Sequence, residues 1–195
     1  RKEMMLGTRN ATVTTIAPTG SISIIAGVNS SIEPFFALVY IRESHIGRFL
    51  EVNKYLMKYL SKRNLRNRST ILRIARGDLG VLDEKTRNIL RTAHQIDPEW
   101  HVRMQAAFQR WVDNAVSKTV NIRFDASVEE VKKIFLLAWK LGCKGITVFR
   151  DKSRPEQVLI VDTELDKVLA HIPEQTIVKD KLFHRWFRIG KEELL

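Results

Sequence analysis

Short apolar runs alternate along this chain with longer stretches of helical periodicity. Residues 12–17, Thr-Val-Thr-Thr-Ile-Ala, are β-branched and short, which predicts a buried strand. Pro18 ends it, because proline has no N–H to give to a ladder. Residues 19–27 predict a short helix with Thr19 or Ser21 as N-cap, and 28–40 run as a loop into a strand or short helix. From Arg48 to Lys62, apolar residues at Phe49, Leu50, Val52, Leu56, Met57 and Leu60 approximate one helical face. Further helices are predicted over 69–76, closed by Gly77, and over 84–94. The best-marked start is Asp97-Pro98, a cap followed by proline at the first helical position, and that helix is predicted to run through Val116.

A compact unit follows. Residues 119–124, Thr-Val-Asn-Ile-Arg-Phe, read as a strand. Ser127 and Glu130 have the spacing of a capping box and open a helix that Gly142 closes. Residues 145–149, Gly-Ile-Thr-Val-Phe, form a second strand. Strand, helix and strand within some thirty residues predict a right-handed βαβ crossover with parallel strands, hence an α/β fold. After Leu159 the periodicity weakens, and 160–195 read as an appendage.

Composition narrows the class. The 195 residues are 44% hydrophobic and 28% charged, which suits a folded domain or a large piece of one. No apolar run is long enough to span a bilayer and the N-terminus lacks a signal-peptide core, so a cytoplasmic protein is expected, without a membrane partner. A start on Arg1 suggests a fragment. The single cysteine, Cys143, excludes an internal disulfide and a Cys-rich zinc site. The net charge is +11, of which residues 41–118 carry +8. A basic stripe of that kind suits polyphosphate, nucleic acid or an acidic surface, but no nucleic-acid motif or interleaved aromatic platform accompanies it. A solvated helix face explains it better.

The candidate chemistry lies at Pro18-Thr19-Gly20-Ser21-Ile22-Ser23. A helix start offers free N–H groups and the positive end of a dipole, which favour an anion such as phosphate. Gly20 lets the backbone approach a ligand, and Thr19, Ser21 and Ser23 add hydroxyls. The stretch is neither a Walker A loop nor a dinucleotide fingerprint. A capped turn and a phosphate site fit these residues equally, and spacing does not decide between them. Glu33, shortly after, has two readings, a partner for a sugar hydroxyl or a cap for a neighbouring helix. The five histidines show no metal-ligand spacing, and His94 and His101 read as surface or packing residues. Trp100, Trp111 and Trp139 read as core, and Cys143 as a buried structural thiol.

Three strings together resemble one family: 9–38 (RNATVTTIAPTGSISIIAGVNSSIEPFFAL), 97–121 (DPEWHVRMQAAFQRWVDNAVSKTVN) and 138–159 (AWKLGCKGITVFRDKSRPEQVL). They are similar to the C-terminal part of the catalytic barrel of adenosylcobalamin-dependent, class II, ribonucleotide reductase. The resemblance implies that residues 1–159 form part of a ten-stranded α/β barrel, and it leaves 160–195 unmatched. It also implies that Pro18, Thr19, Gly20, Ser21, Ile22 and Ser23 hold the phosphates of a ribonucleotide substrate. In that family the ribose 2′-hydroxyl is replaced by hydrogen through an adenosylcobalamin-initiated thiyl radical, with reducing electrons from a cysteine pair and an external thiol reductant such as thioredoxin. Cobalamin is thus implied as the cofactor of the complete enzyme, because cofactors carry radical chemistry that side chains do not.

One cysteine does not serve as radical site and dithiol pair together, and Cys143 falls in a structural stretch of the family pattern. The resemblance therefore implies a segment with no catalytic residue of its own, inactive without the N-terminal part of the reductase. A half of a split reductase, working with a separate N-terminal chain, is the alternative. A basic, non-catalytic nucleotide- or nucleic-acid-binding module ranks below both. Two departures from the family pattern stand out. Ser31 replaces the usual glycine before Ile-Glu-Pro, and Phe149 replaces a usual tyrosine.

Overall fold

The computed structural model describes residues 7, 9–44, 47–153, 159–160, 164–179 and 187–189. The elements in order are α1 (Gly20–Ala26), β1 (Val39–Ser44), β2 (Gly47–Val52), α2 (Lys54–Lys62), α3 (Arg68–Ala75), α4 (Glu84–Ile89), α5 (Pro98–Gln109), β3 (Thr119–Ile122), α6 (Val128–Lys140), β4 (Thr147–Arg150), β5 (Leu159–Ile160), α7 (Glu164–His171), α8 (Glu174–Lys179) and β6 (Phe187–Ile189). They divide into two compact units, 1–34 with 93–153 and 35–92 with 154–195. No described helix is long and apolar enough to cross a membrane.

The first unit contains the predicted βαβ crossover. Strands β3 and β4 pair in parallel, from Thr119 opposite Thr147 to Ile122 opposite Arg150. Between them α6 opens on the full capping box: Ser127 accepts from the Glu130 N–H, and the Glu130 carboxylate accepts from the Ser127 N–H. Gly142 ends it with φ 75°, a conformation that strains any residue with a Cβ. Val102, Val120, Ile122, Ile134 and Ala138 form the core between α5, α6 and the strand pair.

Three readings of this unit change. The segment 12–17 is extended but mostly exposed, and it pairs only through the parallel bridge of Ile16 with Val116. Helix α5 stops at Gln109 rather than Val116, because residues 113–117 leave the helix to pair with 13–16. The tryptophans are not core: Trp100, Trp111 and Trp139 are 65%, 85% and 75% exposed. On α5 the buried face is His101, Val102, Gln105, Ala106 and Gln109, which turns Trp100, Met104 and Phe108 outward.

The second unit is a four-stranded antiparallel sheet, ordered β5-β1-β2-β6, with Ile41, Leu50, Leu56, Leu60, Ile71 and Leu169 fully buried in its core. Residues 48–52, read as the start of a helix, are strand instead, paired from Val39–Val52 to Ser44–Gly47. Asn53 then caps α2, its side chain accepting from Tyr55 and Leu56 N–H groups. Helix α4 is shorter than predicted and a separate 3-10 turn covers 93–95. In the 160–195 stretch, Leu165, Val168, Leu169, Ile172 and Ile177 belong to this unit's core. The described fold is mixed α/β, two sheets of four and two strands; that is the fold class expected, without the ten strands of a closed barrel.

Candidate functional site

The extended segment 12–17 delivers the chain to Pro18 and into α1. Its position is set by residues 113–117. The Asp113 carboxylate accepts from the N–H groups of Val13 and Thr14 and from the Thr14 hydroxyl, at 3.0, 3.1 and 3.0 Å. The Asp113 N–H returns a bond to the Thr14 hydroxyl oxygen at 2.9 Å. These bonds stabilise the charged carboxylate, so Asp113 sits below the ordinary carboxylate range, chiefly through the Val13 N–H. Asn114 N–H donates to Thr14 O, Thr15 Oγ1 to Ala115 O, and Ser117 N–H to Ile16 O.

Thr19 is the N-cap of α1 in the left-handed region, φ 50° and ψ 33°, but its side chain does not cap the helix. The hydroxyl faces back and accepts the Ser31 N–H at 2.6 Å. Ser23 is buried, donating to Gly20 O at 2.7 Å and sharing a 2.8 Å bond with the Ser30 hydroxyl. Pro18, Gly20, Ser21 and Ile22 are exposed. The position a Cβ would take on Gly20 is open space. Ser23 N–H closes the first turn on Thr19 O at 3.0 Å. The N–H groups of Gly20, Ser21 and Ile22 have no hydrogen-bond partner among the described residues, as expected of a first helical turn.

The six predicted residues therefore divide by role. Gly20, Ser21 and Ile22 present free N–H groups outward, with the Ser21 hydroxyl beside them. Thr19 and Ser23 spend their hydroxyls on the loop itself.

Within the protein, Glu33 caps no described helix. Its carboxylate accepts from the Lys118 ammonium and, at 2.6 Å, from the Thr119 N–H. Lys118 is 3% exposed and also donates to Thr119 O. Burial pulls the Lys118 ammonium below its ordinary range, against the opposing pull of Glu33. Spacing along the chain gave no sign of Lys118 or Asp113, 85 and 99 residues from their partners.

Ser31 also occupies the left-handed region, φ 47°, and its Oγ is buried without a partner among the described residues. Both features cost free energy that glycine avoids. Ser31→Gly is expected to raise the stability of the first unit by about 1 kcal/mol, net of the larger backbone entropy of unfolded glycine. A thermal midpoint that falls in this variant would show that the serine fits its site.

Among the described residues no group of three His, Cys, Asp or Glu gathers as a metal site. Cys143, past the end of α6, is partly buried, and burial pushes its thiol up rather than activating it.

The comparisons with known proteins agree with this frame. The family model described as the ribonucleotide reductase barrel domain matches residues 1–149, three quarters of the chain. The chain belongs to that family. It is 43% identical over 196 aligned residues to the vitamin B12-dependent ribonucleoside-diphosphate reductase of Thermoplasma acidophilum, covering 94% of this chain and 26% of the relative. The protein of the same name from Mycobacterium tuberculosis is 47% identical over 156 residues, covering 77% of this chain and 22% of the relative. Among solved structures, the class Id ribonucleotide reductase alpha subunit of Actinobacillus ureae superposes with a TM-score of 0.64 at 24% identity, covering 76% of this chain and 28% of that one. That likeness establishes the fold. The chain spans about a quarter of the length of the curated relatives it matches.

Proposed function

We propose that this chain is the segment of a vitamin B12-dependent ribonucleotide reductase that holds the phosphates of the substrate, with Pro18, Thr19, Gly20, Ser21, Ile22 and Ser23 as its phosphate loop. The observation that carries the reading is the open first turn of α1, where the N–H groups of Gly20, Ser21 and Ile22 have no partner among the described residues, Ser21 is exposed and the space at the Gly20 Cβ position is empty. N–H dipoles at such a turn stabilise phosphate oxygens. Membership of the ribonucleotide reductase barrel family supports a ribonucleotide as its ligand.

The complete enzyme would replace the ribose 2′-hydroxyl by hydrogen, and adenosylcobalamin would supply the initiating radical when bound. The radical cysteine, the dithiol pair and the docking of a thiol reductant such as thioredoxin are assigned to the rest of the reductase. What this chain does is bind and orient: the turn fixes the phosphate end so that the ribose lies at a defined distance from it.

A second reading, half of a split reductase joined to a separate N-terminal chain, has its own observation. Trp100, Met104 and Phe108 form an exposed apolar stripe along α5, Trp111 is exposed just past its end, and Phe135, Leu136 and Trp139 are exposed on α6. Such faces want cover. In both readings the 195-residue chain forms no deoxyribonucleotide by itself, even with adenosylcobalamin and dithiol.

Calorimetric titration of the chain with ribonucleoside di- and triphosphates tests the loop. Wild type is expected to bind, and Ser21→Ala to bind more weakly by about tenfold or more, the loss of one hydrogen bond to a charged group. Equal affinities for the two proteins, or none for either, would remove Ser21 from the substrate site. Turnover by the isolated chain would overturn the division of labour.

A further inference from the structure

We infer that Glu33 and Lys118 are positioning residues for the phosphate loop, fixing its far end to the start of β3. The inference rests on the phosphate-loop reading for its functional meaning, but the tie is visible without it. The stretch from Thr14 to Glu33 is held at both ends by one short segment, 113–119. At the near end Asp113 grips Val13 and Thr14, and Ile16 bridges Val116. At the far end the Glu33 carboxylate spans the Lys118 ammonium and the Thr119 N–H.

The link from Glu33 to the loop is short. Glu33 N–H donates to Ser30 O at 2.9 Å, fixing a turn over Ser30 to Glu33. From that turn the Ser30 hydroxyl bonds Ser23, and the Ser31 N–H bonds Thr19 Oγ1. Both contacts reach residues that bracket the open first turn of α1. Thr19 sits in a backbone region that a threonine rarely adopts, so something outside it must hold it there. The Ser31 N–H does so only while the 30–33 turn stays in place.

Lys118 is the anchor of that turn. Its ammonium is buried, and it donates to Glu33 and to the adjacent carbonyl of Thr119. A buried cation with one carboxylate partner constrains that carboxylate closely, because separating them leaves a charge out of water. The string 113–119, Asp-Asn-Ala-Val-Ser-Lys-Thr, lies within one of the strings that carry the family resemblance and acquires a task here.

The test combines hydrogen exchange with nucleotide titration on the 195-residue chain. Lys118→Met keeps the buried stem and removes the ammonium. Glu33→Gln keeps the shape and the acceptor for Thr119 N–H while removing the charge. In both, amides of 19–23 and 30–33 are expected to exchange about tenfold faster or more, while α6 amides keep their wild-type rates. Affinity for a ribonucleoside diphosphate is expected to fall by about tenfold in Lys118→Met. A double variant that loses no more than the worse single one would show that the two act as one unit.

Wild-type exchange rates at 19–23 in both single variants would overturn the inference. So would faster exchange throughout the first unit in Glu33→Gln, which would mark the pair as general stability only. If Lys118→Met does not fold, Glu33→Gln alone decides. Wild type that binds no nucleotide would sink the phosphate-loop reading, and the exchange data would still decide whether the pair sets the loop.

Discussion

Replacing Gln105 by alanine is expected to cost the first unit about 3 kcal/mol, one of the two largest effects expected here. Gln105 is fully buried on α5, and its Nε2 donates to Val116 O at 3.2 Å and to Gly145 O at 2.5 Å. One side-chain amide thus joins the helix to the segment ahead of β3 and to the loop ahead of β4. Truncation opens a cavity and leaves the Val116 carbonyl, on a buried residue, and the Gly145 carbonyl without their donor, and the penalty for an unpaired buried group exceeds the net worth of the bond. Gln105→Leu fills the cavity but leaves the carbonyls, so it should recover part of the loss. The Gln105 Oε1 has no partner among the described residues, so the Leu variant also removes one unpaired acceptor. Denaturant unfolding followed by hydrogen exchange at 119–122 and 147–150 measures the effect. A loss under 0.5 kcal/mol in Gln105→Ala, on the ~1 kcal/mol scale of single hydrogen bonds, would mean that other contacts hold this junction. Because Val116 bridges Ile16, the variant should also loosen the strand that leads into residues 18–23.

Gln105 also explains why parts of this unit were legible in sequence and parts were not. Local signals were legible: Ser127 with Glu130, Gly142, Asp97 with Pro98 and Pro18 each act within a few residues, and each marks a boundary close to where it falls. The face of α5 was not legible, because its polarity is inverted. His101, Gln105 and Gln109 point inward at four-residue spacing, and each meets a backbone carbonyl: Ala93, Val116 with Gly145, and Asn114. A pattern that places apolar residues inside puts Trp100 and Phe108 in the core, where the structure has glutamine. Polar groups are buried at acceptable cost when backbone carbonyls outside regular ladders partner them, and no periodicity within the helix announces such partners.

The strand β2 was misread for a different reason. Phe49, Leu50 and Val52 fit a helical face and a strand equally well over so short a run, and pairing with β1 decides. At the candidate site the chain gave the loop and its hydroxyls but not their division of labour. Ser21 and Ser23 look equivalent in sequence, yet only Ser23 is within reach of Ser30. The 7-residue length of α1 leaves little helix behind the loop, so its shape depends on tertiary ties rather than on helix propensity.

Acidification should weaken the first unit well before its carboxylates titrate, and His101 is the expected cause. The ring is 2% exposed, and its Nε2 lies 3.0 Å from Ala93 O, which accepts, so a proton resides on Nε2. Burial lowers its pKa first and the Lys118 cation lowers it further, while the Ala93 carbonyl and Glu33 act in the opposite sense. The unfolded chain therefore takes up a proton near the ordinary value of about 6.5, before the folded chain does. Stability is full above that value and declines as pH falls through the window down to the depressed folded pKa. Asp113 acts separately: its depressed pKa contributes stability that is lost only as pH falls through and below the ordinary carboxylate range.

Thermal midpoints between pH 7.5 and 5 should fall in wild type and fall less in His101→Gln, which retains an N–H donor but cannot take up a proton. The comparison is between slopes, since the variant's midpoint at neutral pH also reflects repacking. Equal slopes would assign the dependence to another group. Ring resonances of His101 should report a neutral imidazole at pH 6, where exposed imidazoles are already largely protonated. The consequence reaches the candidate site, because a protonated His101 would place a second cation beside Lys118 and weaken the hold that Lys118 has on Glu33.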